Sequence, residues 1–202
     1  IDCIHTTAAS HNRVFMVEIM GHKAGWLTLN AGIAGGADII LIPEIPYDID
    51  SVIAKIKQRA ASGNGFTILA VAEGAISKKE AEMSKKEYKK HMEEVLEKYP
   101  SVSYAIADKI LKKTGKEVRV TVPGHMQRGG TPCAYDRVLS SRLGTTAALM
   151  ISKEEYGNMV AIQNHIITSI PLKEVAGKLK TIDPKSDIIT EARLLGISFG
   201  DD

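Results

Sequence analysis

Residues 118–130 read VRVTVPGHMQRGG, and this stretch decides how the rest of the chain is understood. Val118, Val120 and Val122 alternate with Arg119 and Thr121, the period-two pattern of a strand with two unlike faces. The pattern breaks at Pro123-Gly124, and the loop that follows presents His125, Gln127 and Arg128 before the pair Gly129-Gly130. Open α/β sheets place ligands beyond the carboxyl ends of their strands. Arginine offers a planar fork of donors suited to phosphate, and histidine adds a donor or a partial positive charge. Two glycines remove side chains where an anion or another backbone must come close. The loop reads as an anion site, against the competing reading of a solvated loop with incidental charges.

Upstream, the same alternation of strand and helix recurs. After Arg13, VFMVEIMG is a nearly continuous apolar run, as expected of a strand covered on both faces. It ends at Met20-Gly21-His22, and Ala24, Leu27, Ala31 and Ala34 then follow at helical spacing. Gly21 is therefore expected at a strand-to-helix turn, where free N–H groups favour an anion; a plain connection is the other reading. Residues 38–42 read as a second buried strand stopped by Pro43-Glu44. Ile49, Val52, Ile53 and Ile56 mark an amphipathic helix with Asp48 as its cap. FTILAVAEGA supplies a third strand with Glu73 at its end, where a carboxylate suits either a ligand hydroxyl or the following turn. Ser77 to Tyr99 interleaves lysine and glutamate and reads as one exposed helix. A further helix, starting at Val102, ends at Gly115. Residues 135–151 predict a helix packed through Val138, Leu139, Leu143, Ala147 and Met150, and residues 160–162 and 166–170 predict two short strands. The alternation predicts an α/β fold, a parallel sheet with helices on both faces. The expected division is an α/β domain over 1–170 and a helical C-terminal extension over 171–202.

Bulk properties narrow the function class. A hydrophobic share of 44% with 25% charged residues fits an ordinary globular domain. A net charge of +2 demands neither nucleic acid nor a membrane surface as partner, and no apolar run approaches a bilayer-spanning length. Cys3 and Cys133 lie far apart and lack metal-ligand spacing, so free thiols in a reducing, cytoplasmic setting are expected. No metal site is expected in this chain. It opens at Ile1 without methionine, in what reads as the middle of a helix, which leads to the expectation of a fragment of a longer protein.

Taken together, RVFMVEIMGHKAGW at 13–26, AGIAGGADIILIPE at 31–44, AVAEG at 70–74 and TVPGHMQRGGTPCAYDR at 121–137 resemble the C-terminal half of 6-phosphofructokinases. Both the ATP-dependent enzymes and their pyrophosphate-dependent relatives share these segments, and the tail resembles the mixed-substrate subgroup. The resemblance covers most of residues 1–144. It implies a Rossmann-like domain that binds fructose 6-phosphate: Met20 and Gly21 along the sugar phosphate, Glu73 on a sugar hydroxyl, His125 and Arg128 on the 6-phosphate. It also implies that Arg13 and Arg119 are lent to a neighbouring copy in a homo-oligomer, a dimer or tetramer. His22 stands where the family has an arginine that neutralises charge on the transferred phosphoryl group, which implies weaker transition-state stabilisation or a shifted donor. The charged stretch at 77–99 is longer than in the compact bacterial enzymes and is expected to be peripheral. The family's glycine-rich donor-binding turn and its Thr-Ile-Asp-Asn-Asp segment are not among these 202 residues. The resemblance therefore implies phosphoryl transfer in glycolysis by a full-length protein using Mg²⁺ with ATP or pyrophosphate, with no cofactor held by this chain. A non-catalytic sugar-phosphate-binding or regulatory module is the alternative.

Overall fold

The computed structural model describes residues 1–10 and 13–201; His11 and Asn12, part of the opening motif, lie outside the described residues. Every residue of VFMVEI at 14–19 and of TILAVA at 67–72 is buried, which a strand achieves only with helices on both of its faces. The chain runs α1 (Asp2–Ala8), β1 (Val14–Ile19), α2 (Trp26–Ala34), β2 (Ile39–Leu41), α3 (Ile49–Ala61), β3 (Thr67–Ala72), α4 (Lys78–Ala81), α5 (Lys85–Lys98), α6 (Val102–Thr114) and β4 (Val118–Thr121). A 3₁₀ turn at Gly124–Arg128 leads to α7 (Ala134–Ser152), β5 (Asn158–Gln163), β6 (Ile166–Pro171), α8 (Leu172–Val175) and α9 (Asp187–Leu194).

These elements form two compact units, one of Ile1–Gln127 with Thr181–Asp202, the other of Arg128–Lys180. That division differs from the expected boundary after residue 170. Ile182, Ile189, Ala192, Ile197 and Phe199 of the tail are buried in the same cluster as Phe15, Val17, Ile40 and Ile68, so the last segment belongs to the larger core. Ser198 also bonds along β2, donating to Asp38 O and accepting from the Ile40 amide.

In the larger unit all four strands are parallel, in the order β2-β3-β1-β4. Alternate residues sort cleanly between two faces. Phe15, Val17, Ile19, Ile40, Ile68 and Ala70 meet α2 and α9, while Val14, Met16, Ile39, Leu69 and Val71 meet α3 and α6. From β1 the chain goes by α2 to β2, beyond β3; from β3 it goes by α4–α6 to β4, on the far side of β1. The connections diverge between β3 and β1, the place where such sheets open a crevice at their carboxyl ends.

Two helices depart from expectation. The buried side of α2 is Thr28, Leu29 and Gly32, with Leu27 and Ala34 exposed. A Cβ at Gly32 would stand 2.6 Å from Ile40 Cδ1, so the helix lies on the sheet through a residue that an apolar count overlooks. The charged stretch 77–99 is two helices, because Ser77/Glu80 and Ser84/Glu87 each close a capping box and start a helix.

The smaller unit is thinner. β5 and β6 pair antiparallel through a two-residue turn, Asn164-His165, with positive φ at both positions, as a right-twisted hairpin prefers. Of the positions expected to pack α7, Met150 is buried, while Val138 is 60% exposed. A two-stranded hairpin covers only part of a 19-residue helix.

Glu44 ties the tail to the sheet: its carboxylate accepts from the Gly25 amide, at the start of α2, and from the Ile182 amide at 3.1 Å. Glu44→Ala leaves both donors unpartnered and is expected to cost about 2 kcal/mol in urea unfolding. Glu80 is a second anchor. Burial alone would raise its carboxyl pKa, but the bonds from Ser77, the nearby Lys109 and the His91 ring outweigh that and hold it below the ordinary value of 4.5. A depressed folded pKa means stability that is present at neutral pH and lost as pH falls through and below about 4.5. Glu80→Gln is expected to cost about 1 kcal/mol at pH 7 and progressively less as pH falls below 4.5, measured by urea unfolding across that range.

Candidate functional site

The backbone amides just past β1 are each taken by a side chain from another segment. Met20 N donates to Gln127 Oε1 at 3.2 Å, and Gly21 N and His22 N donate to Glu73 Oε1 at 3.1 and 2.7 Å. Glu73 follows β3 directly, and Gln127 sits in the 3₁₀ turn after β4. The site thus gathers the carboxyl ends of β1, β3 and β4, at the divergence of the connections. The amides past β1 already bind a carboxylate, and the amide at the start of α2 binds Glu44; the free N–H groups expected at Gly21 hold the protein's own anions. Glu73 Oε2 accepts no hydrogen bond among the described residues.

Gly74 makes the junction possible. A Cβ there would lie 1.9 Å from the His22 carbonyl oxygen, so the loop after β1 rests on bare backbone. His22 itself has a left-handed backbone, φ +54, a conformation histidine tolerates better than most residues. Its ring is exposed, in line with a donor available to a ligand.

His22, Lys23, Glu73 and Gly74 border a cleft of about 710 Å³ whose opposite wall is apolar: Met83, Tyr88, Met92, Leu96 and Val102. The stretch 77–99, expected to be peripheral, supplies most of that wall. Glu18 lies in the same cleft, 7% exposed although carried by β1, and its Oε2 accepts from Ser103 N in the first turn of α6. A carboxylate at a helix amino end is favourably placed.

The structure brings Met20, Gly21, His22 and Glu73 together, with His125 two residues before the Gln127 contact. Arg128 begins the second unit. His125 and Arg128 are exposed, and neither side chain has a polar partner among the described residues. Arg13 and Arg119 lie elsewhere. Arg13 precedes β1, Arg119 pairs with Phe15 in β4, and Glu117 bridges the two arginines at 3.1 and 2.8 Å. They occupy the amino-terminal end of the sheet. Sequence reading passed over Gln127, Gly74 and Glu44. Gln127 stood in the decisive loop among stronger charges, and the other two carry no signal short of a fold. Among the described residues no group of three or more His, Cys, Asp or Glu could hold a metal ion.

A parallel α/β sheet whose strand ends assemble a polar site at a topological divergence defines the class of ligand-binding α/β domains. The chain belongs to the phosphofructokinase family: the family model described as Phosphofructokinase matches residues 1–151. It is 51% identical over its whole length to an ATP-dependent 6-phosphofructokinase of Spirochaeta thermophila and 46% identical to one of Chloroflexus aurantiacus, covering 54% of each. The chain spans about half the length of the curated relatives it matches. Among solved structures, the phosphofructokinase of Saccharomyces cerevisiae aligns over 86% of this chain and 22% of its own, at 33% identity and TM-score 0.67. A pyrophosphate-dependent phosphofructokinase from Nitrosospira multiformis shares the fold over 97% of this chain and 51% of its own, at TM-score 0.73 and 19% identity.

Gly74→Ala is expected to destabilise the larger unit by about 1–3 kcal/mol, because the added methyl meets backbone that has no room to yield. The check is a urea-unfolding midpoint alongside amide exchange at Gly21 and His22, both of which should accelerate.

Proposed function

We propose that the chain is the fructose 6-phosphate-binding half of a 6-phosphofructokinase. The observation that carries this reading is the meeting of the Met20–His22 turn with Glu73 and the 3₁₀ turn at one end of the sheet, at positions that match the family's sugar-phosphate residues. His125 and Arg128 would grip the 6-phosphate through charge-assisted hydrogen bonds. Glu73 would hold the turn with Oε1 and accept from a sugar hydroxyl with Oε2. Met20 and Gly21 would line the sugar phosphate. In the whole protein the 1-hydroxyl would attack the terminal phosphoryl group of the donor, and catalysis would rest on positioning and charge neutralisation. The names of the relatives favour ATP over pyrophosphate as that donor. Mg²⁺ would arrive with it and neutralise phosphate charge. Lacking the donor half, this chain alone would bind and not catalyse. The family's mode of sharing gives Arg13 and Arg119 to a neighbouring copy, so a homo-oligomer is part of the reading, as is a cytoplasmic setting.

A second reading is favoured by His22. A shorter, only partly charged group at the phosphoryl-facing position suits a module that binds the sugar phosphate for regulation.

The test is calorimetric titration of the chain with fructose 6-phosphate beside Arg128→Ala. Saturable binding, weakened at least about tenfold by the substitution, supports the acceptor site, since a lost charge-assisted contact is worth about 1.5–3 kcal/mol. Absence of binding in a sample that sizes as an oligomer would overturn it.

A further inference from the structure

We infer that Gln127 is a positioning residue that latches the His125–Arg128 turn onto the end of β1, an inference that rests on the sugar-phosphate reading above. Gln127 is half-buried, whereas His125, Met126 and Arg128 around it are exposed, Met126 by 83%. Met126 N donates to Pro123 O inside the turn; Gln127 carries the bond that leaves it, accepting from Met20 N across 107 residues. The direction of its amide follows from that contact. A backbone N–H donates only, so the oxygen must face Met20. Its Nε2 is then buried without a partner among the described residues.

Met20 is the first of three successive amides captured by side chains, and Glu73 holds the other two. Gln127 therefore connects the turn bearing His125 and Arg128 to the same backbone that Glu73 fixes. A neutral acceptor suits this place. Glutamate would also accept from Met20 N, but it would set a negative charge between His125 and Arg128, against a phosphate. The orphaned Nε2–H is the cost of holding the turn with a neutral acceptor rather than with a second carboxylate beside Glu73.

The experiment separates the latch from the ligand. Amide exchange at Met20 is compared in the unsubstituted chain, Gln127→Met, which keeps volume without an acceptor, and Gln127→Glu, which keeps the acceptor. The same samples are titrated with fructose 6-phosphate beside Arg128→Ala. Gln127→Met is expected to speed Met20 exchange at least about tenfold and to weaken sugar-phosphate binding by a similar factor, with unchanged protection at Val17 and Ile19. Gln127→Glu is expected to keep Met20 protected while losing the ligand. Wild-type exchange at Met20 in Gln127→Met overturns the latch, whatever binds. A lost latch with unweakened binding overturns the positioning role. If the unsubstituted chain takes no fructose 6-phosphate while Met20 responds as stated, the sugar-phosphate reading fails and the latch survives as a purely structural tie.

Discussion

Two strands with no wet face govern this molecule. Because β1 and β3 are buried on both sides, their backbone is satisfied only along the ladder until each strand ends. There the ladder stops and the next amides need new acceptors. Met20, Gly21 and His22 find them in Gln127 and Glu73, and Gly25 finds Glu44. The polar groups of the site are thus the same groups that terminate the sheet. A methyl at Gly74 would therefore disturb the end of the sheet and the turn that caps it together.

Charge is distributed with the same economy. Carboxylates sit where backbone N–H groups need acceptors: Glu73 at the turn, Glu44 at the start of α2, Glu18 at the start of α6. The side chains of His125 and Arg128 are left exposed. One oxygen of Glu73 holds the turn, and the other accepts no hydrogen bond among the described residues.

What the sequence made legible follows the physics of each signal. The central strands were plain because burial on both faces leaves continuous apolar runs, and Asp48 was plain because a cap is a local bond, here to Asp50 N. Glu73, His125 and Arg128 stood out as charges beside glycines at strand ends. The reading failed where the cause is not local. α2 packs through Gly32, a residue whose contribution is the absence of a side chain. The α7 pattern named a core face, but whether a face is covered depends on what packs against it. The break between α4 and α5 was written twice as Ser-Lys-Lys-Glu, a local signal hidden by reading the stretch for charge alone. The tail looked like an appendage because its partners lie some 150 residues upstream.

The placement of Arg13 and Arg119 bears on the assembly reading. Both sit at the amino-terminal end of β1, and the turn at Gly21 lies at its other end. At roughly 3.3 Å per residue, the strand sets Arg13 about 20 Å from Met20, beyond the reach of an arginine side chain. Neither arginine can serve the site of its own chain. A role in sugar-phosphate binding would therefore need a second copy, while within the chain Glu117 holds the two guanidinium groups side by side. A phosphate entering between them would compete with Glu117 for both guanidinium groups.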